Sequence, residues 1–73
     1  MMDKRRETYL KDEVESGLRD MIGETNNIDM KAIASDLVDE ACRNRYNELM
    51  HKGPTWLAWE YKVCVYDKQF ATA

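Results

Sequence analysis

A chain of 73 residues with a net charge of −3 and only two cysteines makes one domain, spanning 1–73, without a disulfide framework. At this size only roughly 60% of the unfolded surface is buried on folding, so a lone core is marginal and oligomerisation is the expected supplement. The negative charge disfavours a general affinity for nucleic acid or anionic membrane, and no apolar run approaches a membrane span.

The chain begins MMDKRRETYL, which has basic residues but lacks the apolar stretch of a secretory signal. A cytoplasmic protein is the expectation. From residue 3 to 22 the apolar positions Leu10, Val14, Leu18 and Met21 step by four, four and three, which predicts an amphipathic helix. Glu7 with Lys11 and Glu15 with Arg19 are acid-before-base pairs one turn apart, worth a few tenths of a kcal/mol each. Gly17 interrupts the pattern at a cost of up to about 1 kcal/mol relative to alanine. Either it lets the central helix approach closely or it is merely tolerated, and the second is the simpler expectation. Lys4, Arg5 and Arg6 form a basic cluster that reads first as a solvated first turn and, in the alternative, as a nucleic-acid contact.

Residues 23–28, GETNNI, combine a glycine suited to end a helix with asparagine turn chemistry. So short a loop joins antiparallel neighbours, giving a helical hairpin. The second and central helix is predicted over 29–52. Met30, Ile33, Ala34, Leu37, Val38, Ala41, Cys42, Tyr46, Leu49 and Met50 mark its apolar face. Asp29 is a good N-cap, and Ile28 and Ile33 have the spacing of a hydrophobic staple. Gly53 and Pro54 stop the helix. Asp39 with Arg43 and Glu48 with Lys52 add two further acid-before-base pairs.

The last segment, 55–70, holds both tryptophans and the only phenylalanine. As a helix, Trp56, Trp59, Val63, Tyr66 and Phe70 form a stripe with steps of three and four, expected to hold the monomer together. As a strand, YKVCVY at 61–66 is rich in β-formers but alternates imperfectly. The helix accounts for more residues, and Pro54 suits its first turn. On that helix Leu57, Tyr61, Cys64 and Val65 fall away from the stripe and would form a second apolar face, free for another protein or a second copy. The alternative is that the first helix covers it.

No catalytic constellation is evident. Cys42, His51 and Cys64 are too few and too unevenly spaced for zinc, and both cysteines are expected to be reduced and inert in apolar surroundings. Three isolated glycines, Gly17, Gly23 and Gly53, cannot make a phosphate loop. The carboxylates Glu13, Glu15, Asp36, Asp39 and Glu40 fall on polar helix faces, where solvation explains them. A helix-turn-helix is disfavoured because Asp36, Asp39, Glu40 and Glu48 would repel phosphates. An acidic face that imitates nucleic acid is disfavoured too, since the charge is modest and mixed.

The expectation is therefore an all-α, three-helix domain: a hairpin plus an aromatic-rich third helix, oligomeric. It would need no cofactor or metal and would not be an enzyme. Its role would be a protein–protein interaction module, adaptor, regulator or inhibitor acting through the third helix. Short helical chains are common among small regulators and among phage or mobile-element accessory proteins, a prior from size and not from any residue. The alternative is a nucleic-acid-binding regulator using Lys4, Arg5 and Arg6.

Overall fold

The computed structural model describes residues 3–70. Its elements are α1 (Lys4–Ile22), α2 (Met30–Asn44), α3 (Tyr46–Lys52) and α4 (Pro54–Tyr61). From α4 the chain stays helical through a π turn (Lys62–Tyr66) into a last α-helical turn, α5 (Asp67–Phe70). No strand occurs among the described residues. The all-helical expectation holds, but among the described residues there are four helices, the fourth continued by the π turn and α5, where three were expected.

Local chemistry sets the hairpin. The Oδ1 of Asp3 accepts from the amide of Arg6 at 2.9 Å, capping α1. Glu15 and Arg19 pair at 2.9 Å, and Glu7 and Lys11 at 3.5 Å. Gly23 ends the helix at φ +83°, where a side chain would be strained, and its amide donates to the carbonyl of Arg19. Asp29 caps α2 through the amide of Ala32 at 3.2 Å, and Ile28 and Ile33 both pack against the core. α2 returns along α1, so Lys11 meets Asp39 at 3.2 Å. Asp39 thus pairs across the hairpin, where an intrahelical pair with Arg43 was expected.

A continuous helix over 29–52 does not form. Arg45 leaves the helical region at φ −140°, ψ 39°, although no glycine or proline marks the spot. The contacts that hold the bend are distant in sequence. The guanidinium of Arg45 meets Glu60 at 2.8 Å and Glu40 at 3.3 Å, and lies over the Trp56 ring at 5.0 Å. Lys52 lies 4.9 Å from the centre of the same ring and also pairs with Glu48 at 3.1 Å. The hydrogen bond to Glu60 is the main reason the Arg45 pKa is raised; partial burial opposes it. Two backbone bonds flank the bend. The amide of Arg45 still closes on Ala41, and that of Leu49 on the Arg45 carbonyl. It also brings Leu49 into the core, where it is fully buried.

Gly53, at φ +88°, redirects the chain, and Pro54 opens α4. α4 then packs on α1 at close range. A Cβ built on Gly17 would lie 2.9 Å from the Cβ of Ala58. Gly17 therefore serves close approach after all, and its neighbour is α4, not the central helix.

The last helix also turns a different face inward than its three-and-four stripe predicts. Leu57 and Ala58 are fully buried and Tyr61 is 8% exposed, whereas Trp59 is 51% and Val63 38% exposed. Burial raises the pKa of the Tyr61 phenol, with Tyr66 adding to the shift. The face is already set within α4, and the π turn carries the inward line on past Tyr61. It closes with the amide of Asp67 on the carbonyl of Lys62, five residues back. The inward residues Leu57, Tyr61 and Tyr66 follow with steps of four and five. Lys62 and Asp67, also five apart, pair at 3.1 Å. Tyr66 then reaches back to the hairpin loop, accepting at Oη from Asn27 Nδ2 at 3.3 Å, and its ring lies 4.7 Å from that of Phe70.

The result is an elongated body of 42 × 19 × 16 Å. Its core is built from Leu10, Val14 and Leu18 of α1, Ala34, Val38 and Ala41 of α2, and Leu49, Leu57 and Ala58.

Candidate functional site

Two surfaces differ from the charged, ion-paired exterior. The first is the outward side of the last helix. Trp59 and Val63 are one turn apart on it, and Cys64 and Val65 continue it around the π turn. Val65 is 43% exposed and Cys64 is also exposed. Of the four residues that the sequence assigned to a free face, Cys64 and Val65 lie outside. Leu57 and Tyr61 are packed into the core, in part against α1, and offer no surface to a partner. Trp59 and Val63, expected inside, take their place. The missed signal was the five-residue step from Tyr61 to Tyr66, which a strict α-helical period cannot accommodate.

The second surface is a groove of about 520 Å³ between the first turns of α1 and the corner joining α3 to α4. Arg5, Arg6 and Tyr9 line one side, and Met50 and Pro54 contribute an apolar floor and wall over the buried Leu49. Of the basic cluster read from sequence, Arg5 and Arg6 thus face a shaped surface, while Lys4 is simply exposed. Neither arginine has an ion pair among the described residues, in contrast to Arg19 and Arg45. The sequence displayed the charges but not the floor, which comes from some forty residues further along.

Nothing in the geometry assembles a metal site from His, Cys, Asp and Glu among the described residues. No helix there is long and apolar enough to cross a membrane. Cys42 lies on α2, half-buried, with Glu7, Lys11 and Asp39 near it. Burial raises its pKa, and the carboxylates of Glu7 and Asp39 raise it further. Cys64, on the π turn, is exposed, where apolar surroundings were expected for both thiols. In a native-state reaction with a thiol reagent at neutral pH, one equivalent should react promptly, at Cys64. Cys42 should follow at least about tenfold more slowly, since only the thiolate reacts and access is restricted. Mass mapping of the first label onto Cys42 would contradict this assignment.

No protein-family model matches this sequence, and neither a curated protein nor a solved structure shows significant similarity to it.

Proposed function

We propose that this chain is a small non-enzymatic interaction module that associates with a second copy of itself through the outward face of its last helix. As a dimer it would act as an adaptor or regulator. The observation that carries this reading is the half-exposed Trp59, with Val63 one turn away on the same side of the helix and Val65 exposed further round it. Tryptophan is among the residues most enriched at the centres of protein interfaces, because it brings a large contact area with few rotatable bonds. A second copy suits the patch for an electrostatic reason. A two-fold contact sets a patch against itself, so any charge in it would meet its like. Trp59, Val63 and Val65 carry none. The marginal core of so short a chain adds a reason to bury more apolar surface.

Light scattering across a concentration series tests the proposal. The wild type should dimerise, with its tryptophan emission shifting to shorter wavelength as Trp59 is desolvated. Val63→Asp combined with Val65→Asp should raise the dissociation constant by about a hundredfold, since two like charges per copy would be forced together, while the helical circular dichroism stays intact. A wild type that remains monomeric at millimolar concentration would overturn the proposal, and so would undiminished association of the double variant.

A further inference from the structure

We infer that the groove between the start of α1 and the α3–α4 corner is a docking site for an acidic peptide segment that carries an apolar side chain. None of its residues belongs to the face of Trp59 and Val63, so the inference does not depend on that face.

The charge argument comes first. In this chain of net charge −3, Lys11, Arg19, Arg45, Lys52 and Lys62 each sit against a carboxylate. Arg5 and Arg6 have no such partner among the described residues, and both line the groove. Asp3 also lines it, but its Oδ1 is held by the amide of Arg6 at 2.9 Å. The two guanidiniums outnumber that single carboxylate, and exposed Lys4 adds a third positive charge on the same turn. A guanidinium presents a planar pair of donors that matches a carboxylate in a bidentate contact. The local field therefore favours an acidic partner.

The shape argument narrows the class. Met50 and Pro54, with the ring of Tyr9, provide an apolar wall next to the arginines. A purely charged ligand would leave that wall wet, whereas an aliphatic or aromatic side chain beside the acid would cover it. About 520 Å³ is within the range of small-molecule sites. Such sites, however, enclose most of their ligand, and this groove is open to solvent along its length. A segment held at several points along its backbone suits an open groove better than a small molecule does. Arginines beside an aromatic ring and an apolar surface are also the composition of interface anchors.

The test uses the full chain and a fluorescein-labelled hexapeptide in which aspartate alternates with leucine and phenylalanine, followed by anisotropy. Saturable binding with a dissociation constant below about 1 mM is expected. Replacing the aspartates by asparagine should weaken it at least about tenfold, and so should replacing the apolar residues by serine. Arg5→Gln with Arg6→Gln should weaken it to the same extent. Lys31→Gln with Arg43→Gln removes two exposed charges from α2 and should leave binding unchanged. Circular dichroism of each variant checks that the fold persists, and exposed positions give no reason for it to fail.

No saturation at millimolar peptide overturns the inference. Equal loss in the two charge-matched variants does so as well, because binding would then be diffuse. A serine peptide that binds as well as the original shows charge alone at work and removes the apolar part of the site. Retention of a duplex DNA oligonucleotide that weakens steeply with salt and disappears with Arg5→Gln and Arg6→Gln would assign the cluster to nucleic acid instead.

Discussion

Tyr61→Asp is expected to unfold the protein, and Val63→Asp to leave it folded. The two positions are neighbours but one, yet Tyr61 is 8% exposed and Val63 38%. Removing a buried aromatic side chain costs about 3–5 kcal/mol by itself. Aspartate adds a desolvated charge without a partner, which costs several more. The whole stability of a domain this size is only about 4–11 kcal/mol at 0.05–0.15 kcal/mol per residue. Tyr61→Asp therefore removes most or all of it. Val63 already lies against water, and surface changes usually stay within about 0.5 kcal/mol. Far-ultraviolet circular dichroism and a denaturant titration of both variants decide the matter. A helical Tyr61→Asp beside an unfolded Val63→Asp would mean that the last helix is rotated, with the stripe of Trp59 and Val63 inside.

That reversal shows where reading the sequence succeeds and where it stops. The ends of α1, the start of α2 and the turn at Gly53 and Pro54 were all legible, because each depends on contacts within about four residues. Asp3 reaches Arg6, Asp29 reaches Ala32, and Gly53 closes on Leu49. The break at Arg45 was not legible. Its residue type is a good helix former, and the groups that favour the bend include Glu60, fifteen positions away. The face of the last helix failed for a different reason. Its inward residues were visible in the sequence, but templates of three and four cannot take the five-residue step across the π turn. Lys62 and Asp67, a base and an acid five apart, were a hint in hindsight, because α-helical pairs stand three or four apart. The candidate site inherits both limits. Of the residues read as a free face, Cys64 and Val65 are exposed and Leu57 and Tyr61 are buried, and the floor beneath Arg5 and Arg6 depends on how the chain turns at Arg45 and Gly53.

The contact of Gly17 with Ala58 yields the second large effect, and its sign is informative. In an exposed helix Gly17→Ala would stabilise by about 1 kcal/mol, the difference in helix propensity. Here the new methyl would lie 2.9 Å from the Ala58 Cβ. That carbon is fixed to the backbone and cannot swing aside as the end of a long side chain could. α1 and α4 must move apart, and overpacking of this kind costs about 1–3 kcal/mol. The clash should therefore outweigh the propensity, with a net loss of about 1–2 kcal/mol and a fall in Tm of several degrees. Gly17→Val adds a branch to the same collision and should lose more than about 3 kcal/mol, enough to threaten folding in a chain this short. Ala58→Gly supplies the control. Alone it should destabilise, through weaker helix propensity and a lost buried methyl. Combined with Gly17→Ala it merely moves the methyl from α4 to α1, so the double variant should be more stable than the two single losses predict, by about 1–2 kcal/mol. Strict additivity, or a Gly17→Ala variant that gains stability, would show that the helices can separate freely and that glycine at this position is only tolerated.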